Sequence, residues 1–303
     1  MSPVRAPRAR RRRFAIYASA SGSYFLREIR HLLACGLRAA GAAAREFDER
    51  GGFAARADWH VIVAPHEFFA CGRGTILRAS PWPPGVILYN TAQPGSAAFA
   101  FLRRLLPRAH AAWDIDFDSS KRLRRECWRT AHVPLGWVEG CRLFPPPRAH
   151  VSRTIDALFV GSLTPRRDRF FRSANRVLPG SRVYARVADA PPRVRRSRLG
   201  LARRAKIVLN IHRRDEPYFE WHRAVLHGIA QGALVISEPT NASPPLLPGR
   251  DFVTASLTEF PSTIRRYLSS PRAAAAVAAR GLRTYRSSCR LAVILRAAVA
   301  ALG

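Results

Sequence analysis

HGIAQGALVISEP, residues 227–239, joins the end of a helix to a buried strand with almost no loop between them. The helical part HGIAQG ends in a glycine, and the apolar run ALVIS has the length and composition of a strand covered on both faces. The strand stops at a carboxylate, Glu238, immediately before the proline-rich loop PTNASPPLLPG. In open α/β sheets ligands lie beyond the carboxyl ends of the strands, so a charged residue at this point marks a candidate ligand site.

Similar apolar runs alternate with helical stretches along both halves of the chain, which is typical of parallel sheets covered on both faces. One helix is expected in YFLREIRHLLACGLRAAG, where Gly41 supplies a stop. The pattern predicts an α/β protein with two Rossmann-like domains facing a central cleft. We expect a basic tail over 1–13, a first domain over 14–145, and a second over 146–303 that ends in helices, with the linker FPPPRAHVSR between them. The predicted strands are 14–19, 61–66, 86–91, 111–116 and 132–137, then 156–162, 181–187, 206–212, 233–238 and 252–256.

The composition is that of a globular protein with an extreme positive charge. The 303 residues are 48% hydrophobic and carry a formal charge of +31, almost wholly from arginine, since Lys121 and Lys206 are the only lysines. The arginines are spread along the chain, which favours compositional bias and non-specific attraction to phosphates and anionic membranes. Arginine-rich binding of nucleic acid is the alternative, but no recognisable nucleic-acid-binding motif supports it.

Targeting signals and cysteines favour a cytoplasmic protein. The arginine-rich N-terminus can be interpreted as an export signal, but we favour a basic tail leading into the first core strand, because the apolar run is at the shortest end for such a signal. Five cysteines form no C-x-x-C pair and leave an odd one over, which fits free thiols better than disulfides or a zinc site.

Polar residues at strand ends are the candidate site residues. Gly161 and Ser162 leave a strand, and Arg166 and Arg167 follow as a helix begins, a pattern suited to a phosphate. An ordinary strand-to-helix turn with solvated arginines is the alternative. His66 and Glu67 are the first choice for acid–base chemistry on the acceptor side, against a histidine that only orients a loop. No metal-binding motif, dinucleotide fingerprint or P-loop is present.

A further set of polar residues surrounds the opening motif. On one helix from about Tyr218, Arg223 and His227 lie four residues apart and are expected to share a face that points towards Glu238. His212 ends the preceding strand. For Glu238 the alternative is a structural role, either capping a helix or pairing with an arginine.

The order of these motifs resembles a known family. FVGSLTPRR, IVLNIH, a helix with Arg223, AQGALVISEP and LPGRDFVTASLTEFPSTIRRYLSSP resemble the C-terminal domain of bacterial GT-B glycosyltransferases, in the group that includes the spore maturation protein CgeB. The resemblance covers about residues 156–285, and more loosely the first half. In much of the fold, a glutamate that binds the donor ribose stands five positions before the glycine of AQG. Here that glycine is Gly232, and His227 takes the glutamate's place.

The resemblance implies a cytoplasmic, metal-independent hexosyltransferase that moves a sugar from a nucleoside diphosphate to a hydroxyl acceptor. It implies no cofactor besides the nucleotide-sugar, and contact with the inner face of an anionic membrane is a further expectation. A catalytically inactive relative that binds sugar-nucleotide or polysaccharide is the first alternative. The implied donor-binding residues are Gly161, Ser162, Arg166, Arg167, His212, Arg223, His227, Glu238 and Asn241.

Overall fold

The computed structural model describes residues 11–127, 129–144, 152–177, 183–186, 197–214 and 218–303. Most of the predicted basic tail and of the predicted linker lies outside these residues.

The first half forms a six-stranded parallel sheet in the order β2-β1-β3-β4-β5-β6. Its four inner strands are buried except at Arg13 and Trp59, the first residues of two of them, because helices cover both faces. The strands are β1 Arg13–Tyr17, β2 Ala43–Phe47, β3 Trp59–Val63, β4 Val86–Asn90, β5 Ala111–Asp114 and β6 Thr130–His132. The helices are α1 Tyr24–Ala39, α2 Pro65–Phe68, α3 Gly74–Ala79, α4 Ala97–Leu105 and α5 Phe117–Arg124, with 3-10 turns at Glu49–Gly51 and Leu106–Arg108.

The second half forms a five-stranded parallel sheet in the order β11-β10-β9-β7-β8. The strands are β7 Ile155–Val160, β8 Val183–Arg186, β9 Ala205–Asn210, β10 Leu234–Ser237 and β11 Val253–Thr254. The α-helices are α6 Pro165–Val177, α7 Ser197–Arg204, α8 Phe260–Leu268, α9 Pro271–Ser288 and α10 Leu291–Ala300. A π-helix, His222–Gly228, and a 3-10 turn, Ile229–Gln231, precede β10.

These two parallel sheets confirm the predicted α/β fold class. Helix α1 follows the expected pattern: its leucines are buried, and the chain leaves it through Gly41 at a φ of 99°. The predicted strand at 132–137 is only partly correct, since β6 ends at His132. Strand β2 was not predicted. The proposed domain boundaries stay predictions.

The last helix, α10, packs on the first half of the chain. Leu291 and Leu295 lie against Gly36 of α1, where an added Cβ would come within 2.7 Å of both leucines. The backbone of Trp137 exchanges hydrogen bonds with Cys289 and Leu291 at the start of α10. Helix α10 therefore ties the end of the chain to α1 and the segment after β6.

None of the described helices is both long and apolar enough to cross a membrane. The expected cytoplasmic location and membrane contact stay predictions.

Candidate active site

A cavity of about 340 Å³ lies between the carboxyl ends of the two sheets. The first half contributes the segments that follow β4 and β5, and the second half contributes those that follow β7 and β9. The volume falls in the usual range of small-molecule sites, and the position is the one that parallel sheets favour for ligands. Of the residues predicted from sequence, Gly161, Ser162, Arg167 and Arg223 line it.

Two buried arginines in the cavity wall share one carboxylate. Glu220 accepts hydrogen bonds from Arg167 Nη2 at 2.9 Å and from Arg223 Nη1 at 2.5 Å. Arg167 also donates to the carbonyl of Ile211, and Arg223 to the carbonyl of Val160 and to Asn210 Oδ1. Burial would raise the pKa of Glu220, but the two arginines lower it below its usual range. The network fixes positive charge in the wall while satisfying many of its donors internally.

Gly161 makes room for this network. A Cβ at residue 161 would lie 2.6 Å from Arg223 Nη2 and 2.8 Å from the ring of Phe159. The guanidinium of Arg223 sits 4.6 Å from the centre of that ring, in a cation–π contact. The glycine after β7 is therefore required for the close approach of a charged side chain, which the sequence pattern alone did not indicate.

Glu238, at the tip of β10, is held by the protein itself. Its two oxygens accept from Arg166 at 2.8 and 2.5 Å, and Oε2 also accepts from the backbone N–H of His212 at 2.7 Å. Neither Glu238 nor Arg166 lines the cavity. Burial lowers the pKa of His212, which also lies outside the lining. The carboxylate at the strand tip thus locks β9, β10 and α6 together, which is the structural role considered as the alternative from sequence.

The expected shared face of Arg223 and His227 does not form. The π-helix spaces its hydrogen bonds five residues apart, as in the bond from the Ile229 amide to the Ala224 carbonyl, so residues four apart no longer stack as they do in an α-helix. Arg223 reaches the cavity wall, whereas His227 is fully buried on the side of α1. Neither points to Glu238.

His227 belongs to a separate cluster with Glu28 and His222. His222 Nε2 and Glu28 Oε2 are 2.6 Å apart, and His227 Nε2 lies 3.8 Å from the same oxygen, too far for a hydrogen bond. Burial, together with the neighbouring His227, lowers the pKa of His222 to about 4. Burial would raise the pKa of Glu28, but its bond to His222 lowers it. His222 is the one member of the cluster that lines the cavity.

Asp116 is the carboxylate that the first half presents to the cavity. It follows β5, caps α5 by accepting from the Ser119 amide at 2.8 Å, and lies 3.2 Å from Asn241 Nδ2. Burial raises the pKa of Asp116. Asn241, predicted to bind the donor, lies outside the lining and instead connects Asp116 to the Phe219 amide of the other half.

His66 and Glu67 lie outside the lining of this cavity. Glu67 Oε2 accepts from the Ser23 amide at 2.7 Å, just before α1 begins. Burial lowers the pKa of His66. Strand β3 ends at Val63, and the next residue, Ala64, has a φ of 49°, so the chain changes direction before His66, which lies in α2. Their assignment to acceptor chemistry stays a prediction without support from this geometry.

Arg213 and Arg214 are exposed and line the cavity. Within the described part of the chain, neither forms a salt bridge or a side-chain hydrogen bond. Among the described residues of the cavity wall, they are the guanidinium groups most open to an anionic ligand.

The second half of the chain is similar to a known protein family. Residues 166–298 match a family model described as glycosyl transferase-like. This segment is similar to glycosyltransferases. No curated protein sequence matches the chain.

Solved structures extend the likeness to both halves of the chain. Anabaena HepE in complex with UDP and glucose is 10% identical over 96% of this chain and 99% of that chain, with a TM-score of 0.63. T4 phage BGT in complex with UDP and Mn²⁺ is 11% identical over 96% and 99%, with a TM-score of 0.60. A mutant of S. aureus TarM in complex with UDP is 5% identical over 80% and 55%, with a TM-score of 0.58. At these identities the similarity establishes the fold, and it confirms the predicted GT-B arrangement.

Several residues that line the cleft were not predicted from the sequence, above all Asp116, Glu220, Arg213 and Arg214. The signal for Asp116 was present, because it ends the predicted strand 111–116 and the rule of strand ends applies to it. Arg213 and Arg214 follow His212 at another strand end. Glu220 could not be found in this way, since its importance comes from two arginines that only the fold brings together.

Among the residues that the structure describes, two groups of side chains could hold a metal ion. One is the cluster of Glu28, His222 and His227 beside the cavity, and the other joins His31, Cys35 and Cys141 away from it. In each group the potential ligand atoms lie within 4.8 Å of one another. Neither group is visible in the sequence, because both depend on contacts between distant segments.

Proposed function

We propose that the chain transfers a hexose from a nucleoside-diphosphate sugar to a hydroxyl acceptor bound in the cavity, without an obligatory metal in the transfer step. The observation that carries the proposal is the distribution of charge around the cavity. The second half presents arginines, and the first half presents the carboxylate of Asp116. The diphosphate of a donor requires positive charge, and the acceptor hydroxyl requires a base that takes its proton. The cavity has these two kinds of group on opposite sides.

Arg213 and Arg214 are proposed to bind the diphosphate directly. Charge-assisted hydrogen bonds from arginine to phosphate contribute about 1.5–3 kcal/mol each. Arg167 and Arg223 stand behind them, buried and fixed by Glu220. Positive charge already in place favours the transition state as charge develops on the leaving diphosphate, a role that a metal fills in other transferases.

Ser162 and Gly161 extend this proposed donor site. They follow β7 and line the cavity beside the start of α6, where backbone N–H groups are suited to a phosphate. Arg166, His212 and Glu238 support the site from behind by holding the strand tips in register. Their role in donor binding is thus proposed as positioning.

Asp116 is proposed as the base that takes the proton from the acceptor hydroxyl. A raised pKa brings a carboxylate closer to the operating pH, which improves general base catalysis. The Asn241 contact at 3.2 Å orients the carboxylate from the other half of the molecule. This contact between the two halves therefore holds the proposed base at the cavity.

The test measures the thermal unfolding of the protein at moderate salt with UDP, GDP, ADP, CDP or dTDP, each alone. A ligand at about 100 times its Kd raises the free energy of unfolding by about 2.7 kcal/mol. We expect one diphosphate to stabilise the protein, and the double variant Arg213→Ala, Arg214→Ala to bind it at least about tenfold more weakly, as the loss of one such bond implies.

The matched control removes two positive charges elsewhere. Arg265 and Arg272 are exposed, on α8 and α9, and do not line the cavity. Their double alanine variant should bind the diphosphate as the wild type does. Equal small shifts with every nucleotide and with a short DNA duplex would mean that the cleft responds only to charge, and would refute the donor site. Specific binding without sugar transfer to any acceptor would instead indicate an inactive relative, which the replacement of the usual glutamate by His227 favours.

A further inference from the structure

A second cluster of reactive side chains lies away from the cavity. His31 and Cys35 are four residues apart on α1 and so lie on one face of the helix. Cys141 comes from the segment between β6 and β7, and the imidazole nitrogen and both sulfurs lie within 4.8 Å of one another. None of the three lines the proposed donor and acceptor site.

The imidazole of His31 is already oriented for metal binding. Its Nε2 lies 3.5 Å from Cys35 Sγ and so faces the cluster, while its Nδ1 lies 2.8 Å from Glu46 Oε1. Glu46 is itself held by Arg30 at 3.2 Å. A carboxylate on the far nitrogen is the usual partner of a metal-bound histidine, because it fixes the ring and makes the other nitrogen a better ligand.

The donor set selects the metal. Two sulfurs and one imidazole nitrogen suit Zn²⁺, whereas Ca²⁺ and Mg²⁺ prefer oxygen ligands. Cys141 is buried, and Cys35 and His31 are partly exposed, so the cluster is sheltered but open to exchange on one side. Three protein ligands leave the fourth tetrahedral position for water.

We propose that His31, Cys35 and Cys141 bind one Zn²⁺ ion, with Glu46 as the positioning residue behind His31. The ion ties α1 to the segment that leaves the first sheet and leads to the second half. In the same segment, Trp137 pairs with the start of α10. The zinc site therefore stabilises the region where α1, the end of the chain and the connection between the halves meet. The inference is independent of the proposed sugar transfer.

The experiment uses the full chain, purified without chelators and titrated with Co²⁺ as a spectroscopic substitute for Zn²⁺. We expect about one ion per chain by elemental analysis, as one three-ligand site implies. We also expect sulfur-to-cobalt charge-transfer absorption and the intense visible bands of tetrahedral cobalt. Cys141→Ser should abolish the charge-transfer band or weaken Co²⁺ binding at least about tenfold, and Glu46→Gln should weaken it about 10–100-fold.

Cys71→Ser and Cys127→Ser are the matched controls, because both cysteines are half-buried and lie outside the cluster. Both should bind the metal as the wild type does. An unchanged cobalt spectrum in Cys141→Ser, or a wild type that binds no metal, would overturn the proposal. So would a Cys35–Cys141 disulfide as the stable form of the protein.

A measurement on the wild type keeps the test valid if a variant fails to fold. With Zn²⁺ added, Cys35 and Cys141 should be alkylated at least about tenfold more slowly than with a chelator, because a metal-bound thiolate is no longer free to react. Cys71 and Cys127 should react at the same rate under both conditions. Mass spectrometry of the digested protein measures how far each cysteine is alkylated. Equal reactivity of Cys35 and Cys141 with and without Zn²⁺ refutes the site.

Discussion

At the scale of single residues, substitution of Asp116 tests whether the cleft carries out the proposed transfer or only binds a ligand. Asp116→Asn keeps a good helix cap, since asparagine can still accept from the Ser119 amide, so the fold should survive. Loss of the base should lower turnover about 10²–10⁴-fold while the Kd for the nucleoside diphosphate stays unchanged. Initial-rate kinetics with the donor identified by thermal shift measures both quantities.

Asp118→Asn is the control for this variant, because Asp118 lies in the first turn of the same helix with its side chain 39% exposed. It should retain full turnover. If His66→Gln abolishes turnover and Asp116→Asn does not, the assignment made from sequence replaces the one argued from the cavity.

The residue scale is also where sequence reasoning reached its limit. It located Gly161, Ser162, Arg167 and Arg223, because a strand end is visible in the pattern of apolar residues. It could not tell that Glu238 is fully engaged by Arg166 and the His212 amide. Whether a charged strand tip faces a ligand or a neighbouring strand depends on pairings between segments tens of residues apart, which local patterns do not contain.

At the scale of elements, the packing of α10 on α1 gives a sharp prediction. Gly36→Leu adds a side chain where even a Cβ would lie 2.7 Å from Leu291 and Leu295. The two helices must separate, and overpacking of this kind costs about 1–3 kcal/mol. Urea unfolding should show that loss in the free energy of unfolding. Ala39→Leu, at an exposed position on the same helix, should change it by less than about 0.5 kcal/mol. Equal stability of both variants would mean that α10 does not pack on α1.

Elements differ in how well their sequences specify them. Helix α1 was predictable because its apolar residues repeat at helical spacing and a glycine follows. Strand β2, AAREF, was missed because it is an edge strand with an exposed arginine at its centre and only short apolar runs. The π-helix was predicted as an ordinary α-helix, since one extra residue per hydrogen-bonded turn leaves no mark in composition.

At the scale of the whole molecule, the arginine-rich surface and a few buried acids act in different ways. The charge of +31 attracts anions everywhere, and salt screens it. Buried acids are screened much less and couple folding to pH. Asp114, fully buried at the end of β5, accepts from Asn90 Nδ2 at 2.9 Å, from Ser119 Oγ at 2.6 Å and from the Asp116 amide at 2.8 Å. Burial nevertheless raises the pKa of Asp114 from 3.8 to about 7, and the charge of Asp116 acts in the same direction.

This shift predicts how stability changes with pH. Between about pH 4 and pH 7 the folded protein keeps the Asp114 proton that the unfolded chain has lost, so the free energy of unfolding falls as pH rises through this window. The total fall from this group is about 2–4 kcal/mol, at up to about 1.4 kcal/mol per pH unit. Urea unfolding at a series of pH values should show this fall in the free energy of unfolding in the wild type and in Asp118→Asn, but not in Asp114→Asn. If the Asp114→Asn curve parallels that of the wild type, Asp114 is ionised throughout the window, and its three hydrogen bonds outweigh its burial.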